Sequence, residues 1–453
     1  MHLNSALLTL VIVGVAATAP GASAETLQDA LAVAYQTNPT IQAERARLRA
    51  TREAKTQAWA GALPQVSAQA TYDKLDTTQT SAASSIFDQS TKLDQISGGF
   101  TAEQPVFTGF RNYNAIKQAG ARVRAGGAQL AAVEQQVMRD VATAYFDVVR
   151  DMAVYGLNRN NVEVLFKQRE QAALRFEVGE VTRTDVAQAE ARLSGARAQL
   201  TAAQASLAVS RSKYAALVGA MPGTLEPAPT LPDLPETLEA AKALAEVYAP
   251  PIIAAREREQ ASSRQIKIAR GALLPSVSLT GSYQYNEEPN TFIDNIESYS
   301  YGARASMPIF QGGLNYSRIR EAKALNDSDR QRIEEARRNA VADVTAAWEQ
   351  LQAARATIES ARAQVDANTL ALEGVRQEAL VGARTTLDVL DAEQELLNAE
   401  VALATAERDE QAAAYGLLAA AGVLTPEAVG IDNLAGIPEQ NYEDTGLLGL
   451  FRR

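Results

Sequence analysis

Gln65-Val66-Ser67-Ala68-Gln69-Ala70-Thr71-Tyr72 alternates polar and apolar residues without a break. A period of two is that of a strand with two unlike faces, because successive side chains point to opposite sides of a sheet. Three other segments do the same. Ile96, Gly98, Phe100 and Ala102 alternate with Ser97, Gly99, Thr101 and Glu103; Val277, Leu279, Gly281 and Tyr283 with Ser276, Ser278, Thr280 and Ser282; and Tyr299, Tyr301, Ala303, Ala305 and Met307 with Ser298, Ser300, Arg304 and Ser306. Each is about ten residues long, the span of a tilted outer-membrane strand with a lipid face and a lumen face. The polar stretches between them, 73–95 and 284–297, predict surface loops. Four strands cannot close a barrel, and an open strand edge cannot sit in lipid. The barrel is therefore expected to be shared between chains and to contact outer-membrane lipid.

The strands belong to a duplication in which residues 26–220 recur in 237–421. Thr26, Leu27 and Pro39 return as Thr237, Leu238 and Pro250. Leu63-Pro64 and Tyr72 return as Leu274-Pro275 and Tyr283, 211 residues on. Pro105, Phe107, Gly109 and Tyr113 match Pro308, Phe310, Gly312 and Tyr316, and Val178, Gly179, Thr182, Asp185 and Glu190 match Val381, Gly382, Thr385, Asp388 and Glu393, now at an offset of 203. The lost residues fall between the strand segments, where a loop absorbs them. The expected boundaries are a signal peptide at 1–24, a first repeat at 25–220, a Pro-rich linker at 221–236, a second repeat at 237–422 and a C-terminal tail at 423–453 without a strong element.

Proline is absent from 106–221 and again from 309–425, and both stretches are rich in Ala, Gln, Glu and Arg. An internal proline costs a helix about 3 kcal/mol, so these gaps predict two long helical hairpins with tips at Gly179 and Gly382. The first arm, 110–178, would be about 100 Å long at ~1.5 Å per residue. The returning arms carry a heptad: Val186, Leu193, Leu200, Leu207 and Tyr214 with Ala189, Ala196, Ala203, Ser210 and Leu217, and in the second copy Val389, Leu396, Leu403, Glu410 and Leu417 with Ala392, Ala399, Ala406, Ala413 and Ala420. A seam so rich in alanine allows close backbone approach but buries little area, so such helices need neighbours on several sides. Trp59 and Trp348 are read as packing residues.

The apolar run Leu7–Ala17 followed by Ala22-Ser23-Ala24 reads as an export signal, which places the mature start at Glu25. No later stretch reaches the ~18 to 20 apolar residues of a membrane-spanning helix. A net charge of -11 argues against nucleic acid as a partner. With no cysteine and the single histidine inside the signal, the mature chain lacks the residues of a hydrolytic triad or a zinc site, and no cofactor or enzymatic activity is expected. The main alternative, a periplasmic adaptor or coiled-coil scaffold, would share the export signal and the hairpins but would have no use for four membrane-length strands.

On the duplicated order of strands and hairpins, the strand starts Leu63-Pro64 and Leu274-Pro275, the junctions Gln104-Pro105-Val106-Phe107-Thr108-Gly109 and Met307-Pro308-Ile309-Phe310-Gln311-Gly312-Gly313, and the tip Val381-Gly382-Ala383-Arg384-Thr385-Thr386-Leu387-Asp388-Val389-Leu390-Asp391-Ala392, the chain resembles the TolC-like outer membrane efflux protein family. The resemblance implies an α+β membrane protein. It would be a homotrimer whose twelve-stranded transmembrane barrel continues into a long α-helical periplasmic barrel. It implies a passive conduit served by a periplasmic adaptor and an inner-membrane ABC or proton-driven transporter, in efflux or type I secretion. Asp388 and Asp391, at i and i+3 on one helix face, match the family's inward-facing carboxylates, a possible cation ring at the periplasmic entrance. Spacing alone favours reading them as an acidic helix start stabilised by the dipole, and it is the resemblance that points to the entrance. Arg384 matches an arginine that holds the entrance shut, with Thr184 and Asp185 as its partners. Ala379 stands where the family's best-studied member has a tyrosine forming a second latch, so that latch is not expected here.

Overall fold

The computed structural model describes residues 24–79, 89–227, 231–290 and 293–431. The expected signal peptide, Ala24 apart, and the tail beyond 431 lie outside them. Each repeat begins with two helices, α1 (Leu27–Thr37) and α2 (Pro39–Ala60), then α5 (Leu238–Tyr248) and α6 (Pro250–Gly271). Strands β1 (Gln65–Gln79) and β2 (Gln89–Phe107) follow in the first repeat, β3 (Ser276–Asn290) and β4 (Ile293–Ser306) in the second. The hairpins are α3 (Arg111–Glu177) with α4 (Arg183–Val218) and α7 (Leu314–Leu380) with α8 (Thr386–Ala420). The long arms hold 67 residues each, about 100 Å of helix.

The four strands form one antiparallel sheet in the order β1-β2-β3-β4. Its register aligns the apolar sets. Ala68 lies opposite Phe100, Phe100 opposite Tyr283 and Tyr283 opposite Tyr299, and the last two rings stand 4.9 Å apart. Ser67, Thr101, Ser282 and Ser300 line up on the other face. A slip of one residue would exchange the faces. The apolar face is bare in the protomer, with Tyr301 94 % and Tyr299 74 % exposed, and among the described residues no strand pairs with the outer edges of β1 and β4. The strands are longer than the ten residues expected, at 14 to 19, and take up most of what the sequence suggested as loops. Directly opposed charges continue the ladder beyond the apolar zone: Lys74 meets Asp94 at 3.4 Å and Lys92 meets Asp76 at 3.2 Å. Polarity marked where the lipid face ends, which is not where strand pairing ends.

At the strand-to-helix junction the two repeats touch backbone to backbone. Gly109 adopts φ +64°, and a Cβ built on Gly271 would lie 2.4 Å from the Gly109 carbonyl oxygen and 2.8 Å from Arg111 Cγ. Gly271→Ala is therefore expected to destabilise the protein by about 1–3 kcal/mol through overpacking, seen as a lower melting temperature of the detergent-solubilised oligomer. An unchanged melt would mean that this approach is looser than described.

Below the sheet, α1 packs on the middle of α3 and the end of α4, and the end of α8 packs on α3, in one cluster around Leu31, Met138, Val141, Tyr145, Phe146, Tyr214 and Leu418. The second repeat's core joins α5, α6, α7 and α8 through Ala245, Ile252, Val344, Leu351 and Leu417. Trp348 packs against it, while Trp59 is 42 % exposed, so only the former fills the packing role expected of both. The linker is tied down. Leu225 is buried and bridges Glu25, whose carbonyl accepts from Tyr145 Oη at 3.0 Å and whose carboxylate accepts from Tyr214 Oη at 2.6 Å. The start of the tail also docks, with Leu424, Val429 and Ile431 buried around a short 3-10 turn, Glu427–Val429.

The alanine seams are buried along most but not all of their heptads, with Ala392, Ala413 and Ala420 only half-buried. Ala189, Ala196 and Ala203 on α4 and Ala399 and Ala406 on α8 all lie at 7 % exposure or less. Glu410, the polar residue at a seam position, is met by Arg355 at 3.2 Å. On α8 a second face, Leu390, Leu397 and Leu418, is buried as well. This helix lies between both hairpins: Arg408 on α8 reaches Asp147 on α3 at 2.8 Å.

Candidate functional site: the hairpin tips

Both tips are built by the same two devices. Each outgoing helix closes with a glycine in the left-handed region, Gly179 at φ +80° and Gly382 at φ +79°. The next N–H reaches back five residues, Glu180 to the Arg175 carbonyl and Ala383 to that of Glu378, both at 2.9 Å. That is a Schellman closure, which glycine accommodates without strain. Each returning helix opens with a capping box. Thr182 N–H donates to Asp185 Oδ2 at 2.8 Å while Asp185 N–H donates to Thr182 Oγ1 at 3.3 Å, and Thr385 and Asp388 repeat this at 2.9 and 3.3 Å. Asp185 and Asp388 thus hold their helix starts, and the acidic-helix-start reading applies to both.

The tips differ in the groups added to this frame. At the sites of Arg384, Leu390 and Asp391 the first repeat has Val181, Ala187 and Gln188. Leu390 leaves its own hairpin to pack with Leu165, Ala172, Ala189, Leu193 and Ala196 of the first. One turn from the cap, Asp391 accepts a hydrogen bond from the Arg192 guanidinium on α4. The two hairpins are therefore joined near their tips by one leucine and one ion pair. Arg192 could not be found from sequence, because its partner is 199 residues away and neither residue carries a local signal.

Within the protomer Arg384 does not reach Thr184 and Asp185. Its Nε donates to Glu378 Oε2 at 2.8 Å, one turn before the tip, and Asp185 accepts from Thr182. The Thr385 N–H and hydroxyl, together with the Arg384 charge, hold the Asp388 carboxyl below the usual aspartate range, so Asp388 stays ionised in the periplasmic pH range. The Glu378 hydrogen bond and charge raise the Arg384 guanidinium. Asp388 and Asp391 share the face expected of them, but Asp391 has part of its charge answered by Arg192. Among the described residues no group of three or more acidic or histidine side chains is arranged to hold a metal ion within one protomer.

The sequence profile described as outer membrane efflux protein matches residues 30–220 and 243–423, one match per repeat. The outer membrane efflux protein BepC of Brucella suis is 33 % identical over 95 % of this chain and 92 % of its own length. The outer membrane protein TolC of Vibrio cholerae is 28 % identical over 91 % of this chain and 94 % of its own. The fold matches the crystal structure of the outer membrane protein VceC from Vibrio cholerae with a TM-score of 0.73 at 22 % identity, covering 87 % of this chain and 96 % of that one. A four-stranded sheet with open edges and a bare apolar face, continuous with 67-residue helices, is one protomer's share of such a channel. The chain belongs to the outer membrane efflux protein family and is an outer-membrane channel-tunnel, trimeric in architecture and extending into the periplasm, that conducts substrates outward in efflux or type I secretion.

Proposed function

We propose that the channel is closed at its periplasmic end by the hairpin tips, with Arg384, Thr184, Asp185, Asp388 and Asp391 as gating residues and Arg192 added to them. The observation that carries this reading is the Arg192 to Asp391 ion pair, which ties the second hairpin to the first in the same protomer. Arg384 serves the other side. In the ring of hairpins the second hairpin of one subunit meets the first hairpin of the next, so Arg384 exchanges Glu378 for Thr184 and Asp185 of the partner subunit on closure. The exposed apolar residues Val178, Leu380 and Val381 at the tips suit docking of a periplasmic adaptor, which would link the channel to an inner-membrane ABC or proton-driven transporter.

Three copies of α8 around one axis would bring the Asp388 and Asp391 pairs into a ring. Charges ~8 Å apart repel by roughly 0.5 to 2 kcal/mol at effective dielectrics of 80 to 20, which favours a bound cation. Asp388→Asn removes the charge while keeping a side-chain oxygen for the cap. In planar bilayers the variant is expected to lose most of the block by di- and trivalent cations added on the helical side. Asp391→Asn should lose less, since Arg192 already answers part of that charge. Unchanged block in the Asp388 variant would put the cation site elsewhere.

A further inference from the structure

Glu25, where the mature chain is expected to start, is held from three sides. Its N–H donates to the Thr224 carbonyl at 2.8 Å and its carbonyl accepts from Glu226 N–H at 3.1 Å, which bridges it to the linker. Tyr145 Oη of α3 lies 3.0 Å from the same carbonyl and 2.9 Å from that of Glu226. The Glu25 carboxylate accepts from Tyr214 Oη of α4 at 2.6 Å and from Gly223 N–H at 3.3 Å. The bridge seats the linker: Leu225 is buried beside Glu25, and further along Leu234 packs on the cores of both repeats.

This arrangement is not repeated at the start of the second repeat, where the chain runs on without a terminus. The copy of Glu25 there is Glu236, which is exposed. Trp348 and Leu417 stand in place of Tyr145 and Tyr214, and Ala240 in place of Asp29. The groups around Glu25 are also unbalanced in charge. Burial, then the charges of Glu226, Glu25 and Asp29, push the Tyr145 hydroxyl up to about 12, and burial followed by the Glu25 hydrogen bond raises Tyr214 as well. Both tyrosines are therefore neutral donors. Asp29 answers the start of α1 through its capping box, while Glu25 and Glu226 remain. Among the described residues none of the three carboxylates forms an ion pair with Lys or Arg.

We propose that the Ala24–Glu25 bond is cut by a signal peptidase and that the amino group so released is a working part of the fold, supplying the cation that this acidic cluster lacks. Hydrolysis consumes one water, leaves a carboxylate on Ala24 and puts an ammonium on Glu25. That group keeps its bond to the Thr224 carbonyl and has two further N–H donors for the carboxylates around it. In the uncut chain the same nitrogen is an amide, with one donor and no charge. Removal of the signal is thereby coupled to the seating of the linker, and through Leu234 to the joining of the two repeats.

Competitive acetylation of the detergent-extracted trimer over a range of pH, read by mass spectrometry of its N-terminal peptide, tests both parts. The peptide should begin at Glu25, and its α-amino group should titrate above the value of about 8 of a free terminus. In Glu226→Gln the titration should fall back toward that value. Inserting one Gly and one Ser between Ala24 and Glu25 leaves the cut after Ala24 but carries the amino group up to about 7 Å away. The trimer with this insertion should dissociate at a lower temperature than the parent at neutral pH. An ammonium whose titration is raised by folding stabilises below its unfolded value and ceases to do so as pH rises through the folded one, so the difference should shrink by about pH 10. A mature chain that starts elsewhere, or an α-amino group that titrates no higher than a free terminus, overturns the proposal. So does an insertion that melts like the parent at both pH values. If the insertion abolishes assembly, the titration in the parent and in Glu226→Gln decides.

Discussion

Replacing Ala399 by leucine is expected to cost each protomer about 1–3 kcal/mol, and the trimer three times that, seen as a lower dissociation temperature and a smaller yield of trimer in detergent extracts. Ala399 is fully buried on α8, on the face that meets α7. The larger side chain must press on a seam in which Ala406 is buried one heptad on and Val389 near the tip. Relief would require the two helices to separate, but α8 is held from behind as well, through Leu390, Leu397 and Leu418 and through Arg408 to Asp147. Ala196→Leu on α4 tests the same idea in the first repeat, where the residue is 3 % exposed. If both variants assemble and melt like the parent protein, the seams are not the close contacts described.

Reversing the charge of Arg192 should open the periplasmic entrance. Both members of its pair with Asp391 are about half exposed, so solvent screens the contact to about 0.2–1 kcal/mol. Three equivalent pairs broken together shift the open-to-closed ratio by about three-fold to more than a hundred-fold, at 1.4 kcal/mol per factor of ten. Arg192→Glu should therefore raise resting conductance in planar bilayers and admit large antibiotics to cells, with trimer amount unchanged. Arg192→Glu with Asp391→Arg restores the pair in reverse and should close the channel again, since mutations at one contact are not additive. Arg384→Ser should also raise resting conductance. Asp185→Ala is a poorer probe of the same gate, because it also removes the carboxylate that caps α4, at a cost of about 0.5–2 kcal/mol. Wild-type conductance in Arg192→Glu would remove that pair from the gate.

The features legible in the sequence are those set by local periodicity. Alternation located the lipid-facing part of all four strands, the proline gaps bounded both hairpins, and Val178-Gly179 and Val381-Gly382 marked the turns, because each signal acts over a few residues. Two helix starts are also spelled locally: Thr26-x-x-Asp29 is a capping box for α1, and Asn38-Pro39 is a cap followed by proline in the first turn of α2. The same box spelled by Thr385-x-x-Asp388 gives Asp388 its structural duty in addition to its place on the entrance face. Strand continuation past the lipid zone depended on opposing Lys74 with Asp94 and Asp76 with Lys92, which only the register supplies. The docking of Leu424, Val429 and Ile431 against α1 and α3, and the meeting of Arg192 with Asp391, required the tertiary fold, as both join residues far apart in the chain.

Single-channel recording of the purified, detergent-extracted oligomer in planar lipid bilayers tests most directly that the chain is one third of a membrane channel. Uniform conductance steps are expected from a species whose mass is three protomers plus detergent. Multivalent cations should reduce the steps from the helical side alone. A water-soluble monomer, or a trimer that inserts without conducting, would contradict it.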